Sequence, residues 1–134
     1  MMQRRGVRPG GLPATRVAAR KDDDTELWHW RWEKGYYQRK LGDTTLRVRA
    51  LVVLFADARS GPLDSRAFPN GVFAGDGGKA VVFVDGRQSP AIWVRRFHEP
   101  LCLGTDESGN PLLLSGPVWF HIVGAKAGYI VEWR

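Results

Sequence analysis

Cysteine is nearly absent from this sequence of 134 residues, which contains only Cys102. A single cysteine excludes an intramolecular disulfide, so the fold is not a disulfide-stapled scaffold. Long apolar runs are absent too, because the longest, residues 50–56, is far shorter than the ~18 residues of a membrane-spanning helix. No segment has the apolar spacing of an amphipathic helix. What remains is a chain of short apolar segments separated by turns.

Turn-forming residues are abundant by contrast, with 16 glycines and 8 prolines scattered without a period. Hydrophobic residues make up 43% of the chain and charged residues 25%, which are ordinary values for a globular protein. The length suits one domain with one hydrophobic core.

The net charge of +6 is concentrated in the N-terminal part of the chain. Residues 1–21 contain six basic side chains and no acidic one, whereas residues 22–134 contain 14 of each sign. We predict a flexible basic arm over residues 1–26 and a β domain over residues 27–134. Such an arm is either a solvated leader or a binding element for nucleic acid or an anionic membrane surface. The arginines that would contact nucleic acid are Arg4, Arg5, Arg8, Arg16 and Arg20.

Tryptophan alternates with other residues at the start of the predicted domain, at Trp28, Trp30 and Trp32. In a β-strand this spacing places all three indoles on one face. We interpret this face as the inward face of a first strand, because aromatic side chains dominate small β cores. The alternative is an exposed aromatic platform for a sugar ring or a nucleobase.

Short runs of β-branched and aromatic residues continue along the chain, bounded by glycine, proline, asparagine and aspartate. Asp85-Gly86 between two such runs predicts a hairpin, since both residues of this turn need positive φ. Residues 44–55 predict one strand, which has one solvent-exposed face at its start and then continues into the core. Residues 57–71 predict a long irregular connection. Further strands are predicted at residues 27–32, 36–39, 81–84, 91–94, 101–103, 118–123 and 129–133. The predicted fold class is all-β, an antiparallel barrel or sandwich of short strands with a flexible N-terminal arm.

The hairpin region carries a recognisable signature. Gly75, Gly78-Lys79-Ala80, Val82-Phe83, Asp85-Gly86, Trp93 and Arg95 form the pattern G-x-x-GKA-x-VF-x-DG followed by W-x-R. Upstream lie Tyr37-Gln38-Arg39 and Gly42-Asp43, and downstream lie Asp106, Gly109-Asn110-Pro111, Leu114, Gly116 and Trp119. With these residues, the chain from Trp28 to Glu132 resembles the C-terminal domain of the YerB-like lipoprotein family of bacteria, a domain of unknown function numbered 3048.

The resemblance implies a β-rich, non-catalytic module that binds a protein or an envelope polymer, and a location at the cell envelope. No signal peptide or lipid-attachment cysteine is recognisable in this sequence, so the compartment stays open. The candidate binding residues are Lys79, Asp85, Trp93, Arg95 and Arg39. Each has an architectural explanation as well, such as a turn at Asp85 and a cross-strand pairing of Lys79 with Arg95.

Known reaction motifs fit the sequence poorly. Residues 75–79 lack the spacer and the Ser/Thr of a phosphate-binding loop, and they precede a strand rather than a helix. The histidines and Cys102 show no close metal-ligand spacing. Cys102 lies between Leu101 and Leu103, which predicts a buried structural thiol, although a cysteine–histidine dyad that meets in space is the alternative. The sequence therefore predicts binding rather than catalysis, with no catalytic residue, cofactor or metal site, and nucleic-acid binding through the arm as the alternative function.

Overall fold

The computed structural model describes residues 11–21, 24–56, 77–94, 100–105, 110–124 and 129–134. These residues form ten strands: β1 (Arg16–Lys21), β2 (Glu26–Glu33), β3 (Tyr36–Leu41), β4 (Thr44–Val48), β5 (Ala50–Ala56), β6 (Gly77–Val84), β7 (Arg87–Val94), β8 (Cys102–Thr105), β9 (Val118–Gly124) and β10 (Tyr129–Trp133). Within this part of the chain we find no helix capable of crossing a bilayer. The predicted connection at residues 57–71 lies outside the described residues.

The strands form two five-stranded sheets that pack as a sandwich. The first sheet has the order β10-β1-β2-β3-β4, and the second has the order β8-β7-β6-β5-β9. All neighbouring strands are antiparallel except β5 and β9, which run parallel. The all-β prediction is therefore confirmed, and of its two forms the sandwich is observed.

Strand β1 corrects the predicted extent of the arm, because Arg16–Lys21 pairs with both β2 and β10. Val17 and Ala19 are fully buried in the core while the side chain of Arg16 stays exposed. The sequence RVAARK alternates in this way, but its apolar residues are small and its basic residues are typical of a solvated arm, so the pattern does not stand out as a strand. Arg16 and Arg20 thus belong to a sheet, whereas Arg4, Arg5 and Arg8 lie outside the described residues.

The single strand predicted over residues 44–55 is also wrong in one respect. The chain breaks at Arg49, so that β4 belongs to the first sheet and β5 to the second. The backbone N–H groups of Arg49 and Ala50 both donate to the carbonyl oxygen of Pro117, at 2.8 and 3.3 Å. The break coincides with the change from alternating to continuous apolar sequence, because β5 is buried on both faces.

The predicted hairpin is confirmed. Strands β6 and β7 are joined by Asp85 and Gly86, which have φ angles of 55° and 74°. Positive φ at both turn positions matches the twist of the flanking strands. The turn also contacts the first sheet, since a Cβ atom on Gly86 would lie 3.0 Å from the indole of Trp32. The hairpin tip therefore helps to hold the two sheets together.

Two apolar clusters form the core, one on each face of the second sheet. The cluster between the sheets includes Trp30, Tyr37, Leu51 and Phe83, and the hydroxyl of Tyr37 donates a buried 2.9 Å hydrogen bond to the carbonyl of Ala14. The second cluster has the members Val52, Leu54, Ala80, Val82, Ala91 and Trp93, with Leu101, Leu103, Leu112 and Leu114 packed against it. Apolar side chains therefore pack against both faces of the second sheet.

Candidate functional site

Trp93, a residue of the family-like signature, lies inside the second cluster with no exposed surface. Its Nε1–H donates a 3.0 Å hydrogen bond to the carbonyl oxygen of Phe55 on β5, which lies on the far side of β6. Gly78 stands directly opposite Trp93, and a Cβ atom there would come within 2.8 Å of both groups of this bond. The pairing of Gly78 with Trp93 thus gives two positions of the signature a structural reason.

The other predicted binding residues are dispersed. Lys79 and Asp85 are exposed at opposite ends of β6, roughly 20 Å apart along an extended strand. The strand register places Lys79 opposite Ile92, and Arg95 lies outside the described residues. Arg39 is half-buried on the first sheet, where its guanidinium carbon lies 5.9 Å from the ring centroid of Trp30. Lys79 and Asp85 are thus well separated along the strand, and the roles of Lys79, Asp85, Arg39 and Arg95 in binding stay predictions.

The tryptophans of β2 pack against the inter-sheet core, which confirms the inward-face interpretation. Trp30 is fully buried, and its Nε1–H donates to Nε2 of His121 at 2.9 Å. Trp28 stacks on the same imidazole with ring centroids 3.8 Å apart and planes 6° from parallel. The indoles are therefore used to fix β2 against β9.

His121 is held neutral by these contacts. Because its Nε2 accepts the indole hydrogen bond, the ring proton is assigned to Nδ1. Burial, together with the positive charge of Arg39, lowers the pKa of His121 to about 4. A neutral imidazole in a packed aromatic cluster serves the stability of the fold.

Among the described residues the geometry gives no support to a metal site, and His98, one possible partner of Cys102 in a dyad, lies outside them. In the described ranges, no three histidine, cysteine, aspartate or glutamate side chains converge to hold a metal ion. The prediction that Cys102 is buried is wrong, since its side chain is exposed beside the carbonyl of Pro100. Leu103 on the same short strand packs against the second cluster, so β8 presents the thiol outward.

The outer face of the first sheet carries a row of cationic side chains. Arg16 of β1 pairs with Arg31 of β2, Arg31 pairs with Gln38 of β3, and Gln38 pairs with Arg47 of β4. Three arginines and one glutamine thus form a single line across four strands, which we call the arginine row. At about 4.8 Å between strands, the row is roughly 14 Å long.

The three arginines of the row form no ion pair with a described carboxylate, although Glu33 lines the same hollow as Arg31 and Arg47. The ion pairs of this sheet join Arg20 to Asp24 and Glu132, and the Nδ1 atom of His29 lies within hydrogen-bond distance, 3.2 Å, of a carboxylate oxygen of Glu26. The three row arginines are exposed, and none takes part in an ion pair of the described residues. Like charges directly opposite each other in a sheet are destabilising, as at Arg16 and Arg31.

Two adjoining surface hollows open over the row. One, of about 510 Å³, is lined by Leu27, Trp28, Gln38, Lys40 and Arg47 among others. The second, of about 660 Å³, is lined by Thr15, Arg16, Trp32 and Arg134. Arg31 and His29 line both hollows and therefore stand at their junction. Together the two hollows form a groove in which six arginine and lysine side chains outnumber the two carboxylates, Glu26 and Glu33, and Leu27 adds apolar surface at one end.

Of the three row arginines, only Arg16 is named as a binding residue from the sequence, and there it is placed in the arm. Arg31 and Arg47 are not among the predicted binding residues. The available signal was their alternation with buried residues, since Arg31 lies between Trp30 and Trp32 and Arg47 precedes Val48. Alternation assigns each arginine to an outer face. Only the strand register shows that the three share one line.

Comparison with known proteins gives one result at the level of structure. No family model matches the chain, and no curated protein matches it. The crystal structure of YerB from Bacillus subtilis is similar, with a TM-score of 0.61 and 11% sequence identity, over 92% of this chain and 46% of the YerB chain. The chain thus spans about half the length of that protein. At this identity the similarity establishes the fold, and we conclude that the chain shares its β-sandwich with part of YerB.

Proposed function

We propose that the protein is a non-catalytic binding module that binds a polyanion through the groove on the outer face of its first sheet. The observation that carries this proposal is the arginine row, whose three guanidinium groups form no ion pair with the described carboxylates. Placing Arg16 opposite Arg31 costs sheet stability, and a bound anion would offset that cost. Guanidinium groups suit the role because their planar fork binds phosphate and carboxylate oxygens in pairs.

The shared fold and the family-like signature support grouping the chain with YerB-like proteins. The lipoprotein character of that family favours a role at the cell envelope, while the groove by itself requires only that the ligand be anionic. The roles of Lys79, Asp85, Arg95 and Arg39 in such binding belong to this proposal. A negatively charged ligand is favoured over an apolar one, because four arginine and lysine side chains and only two carboxylates line the hollow of about 510 Å³.

The test compares two variants of equal net charge on immobilised heparin, a generic polyanion. Arg31→Gln with Arg47→Gln removes two charges from the row. Lys21→Gln with Lys34→Gln removes two charges from exposed positions outside it. We expect the row variant to elute at clearly lower salt than the wild type, and the control to elute near it, because the row brings cations together whereas Lys21 and Lys34 lie outside it. Elution of both variants at the same salt would contradict the proposal.

A further inference from the structure

We infer that the polyanion bound by the arginine row is a single-stranded nucleic acid, an inference that rests on the proposed function above. The row supplies cations in a line, as a polymer with regularly spaced phosphates requires. Sites of this kind combine a positive groove along the backbone with surfaces on which bases lie.

The groove provides the second component as well. Leu27 and Trp28 add apolar surface to the hollow whose other wall holds Arg31 and Arg47. Leu27 is 38% exposed and lies four residues from Arg31 along β2, roughly 13 Å at 3.3 Å per residue. This separation leaves room for a sugar and a base between a phosphate at the row and the apolar end. A purely ionic polymer would have no use for that surface.

A polar group capable of contacting bases stands in the middle of the row. Gln38 lies between Arg31 and Arg47, and its side-chain Nε2 donates a 2.9 Å hydrogen bond to the carbonyl of Glu33. The other end of the amide, Oε1, is an acceptor of the kind that a base amino group can use. Bases reach such a floor only when they are unpaired, which favours a single strand over a duplex.

The sequence before the groove adds further positive charge. The described chain begins at Gly11, and Thr15 lines the hollow that contains Arg16 and Arg31. The ten residues before Gly11 include Arg4, Arg5 and Arg8 and no acidic residue. The basic residues Arg4, Arg5 and Arg8 thus precede Arg16 in the sequence and lie outside the described residues.

The inference is tested by fluorescence anisotropy with labelled oligonucleotides of 12 thymidines or 12 uridines, and with a DNA duplex of equal length. Three phosphate contacts give a slope of log K against log salt of about −2, at about −0.7 per contact for a single strand. The same relation makes each contact worth about fivefold at 0.1 M salt. Arg31→Gln with Arg47→Gln should therefore weaken binding about 25-fold and flatten the slope by about 1.4.

The matched variant Lys21→Gln with Lys34→Gln should bind the single strands within about twofold of the wild type, since neither lysine is in the row. Circular dichroism checks that both variants fold, and Arg47→Gln alone, expected to cost about fivefold, replaces the double variant if that one does not fold. Equal losses in the row variant and its control would overturn the inference. Row-dependent binding to heparin without binding to oligonucleotides would leave the proposed function standing and overturn the nucleic-acid ligand. Tighter binding to the duplex would overturn the choice of a single strand.

Discussion

The contact between Gly78 and Trp93 gives the sharpest stability prediction. Gly78→Ala would place a methyl group 2.8 Å from both the carbonyl oxygen of Phe55 and Nε1 of Trp93, which hydrogen-bond each other. The backbone carbonyl cannot move without disturbing β5, so the indole has to shift and the bond is lost.

The magnitude follows from two costs and one gain. A buried group left without its hydrogen-bond partner costs about 1–3 kcal/mol, and overpacking costs about as much again. Replacing glycine by alanine regains about 0.4–1 kcal/mol through the unfolded chain. We therefore expect Gly78→Ala to lower the free energy of unfolding by about 2–4 kcal/mol, or the melting temperature by roughly 10 °C in a domain of this size.

Urea denaturation followed by tryptophan fluorescence measures this change, and a double-mutant cycle identifies its cause. In a Trp93→Phe background the donor is already absent, so Gly78→Ala should cost clearly less than in the wild type. The control is Gly42→Asn, at a turn where φ is 64° and no atom lies within 4 Å of the added carbon; asparagine tolerates this conformation. A loss below about 0.5 kcal/mol, or strictly additive losses in the cycle, would refute the reasoning.

Three further predictions concern the rest of the sandwich. The pKa of His121 is about 4 in the folded protein and 6.5 when the side chain is exposed, so the unfolded state binds the proton first as the pH falls. The free energy of unfolding should therefore fall by up to about 3 kcal/mol from pH 6.5 to pH 4. Urea titrations at each pH measure this change, and the variant His121→Gln should lack it. Tyr37→Phe leaves a buried carbonyl without its donor and should cost about 1–2 kcal/mol by chemical denaturation; no loss would contradict the buried bond. Arg31→Gln removes the repulsion between Arg31 and Arg16. Calorimetry at low salt should therefore show a small rise in melting temperature, and added salt should abolish it. A lower melting temperature would contradict the repulsion within the arginine row.

Local sequence predicted the hairpin well, because Asp85-Gly86 leaves few alternatives for a two-residue turn. The common inward face of the three tryptophans of β2 was also predictable, since period-two alternation assigns them to one face. Both features depend on residues that are close along the chain. Interactions at short sequence distance are the ones that propensity and pattern report most directly.

The features missed by sequence reasoning depend on distant pairing. Strand β1 is short and rich in arginine, and only its partners in β2 and β10 make it a strand. The division at Arg49 depends on the carbonyl of Pro117, which is far away in sequence. The arginine row likewise depends on register across four strands, since a shift of one residue would send its side chains to the core. A single sequence specifies faces but not which strands meet.

The pairing of β1 with β10 has a consequence for the order of folding. Val17 lies opposite Trp133, so this pair joins positions 116 residues apart in the chain. Once the ribosome has made β1 through β4, all strands of the groove are present. One edge of β1 nevertheless stays unpaired until β10 has been synthesised, at the end of this sequence. During synthesis that edge is open to pairing with other strands, and its charged residues, including Arg20, discourage such contacts. The cations next to the groove would then protect the nascent chain before they serve the finished domain.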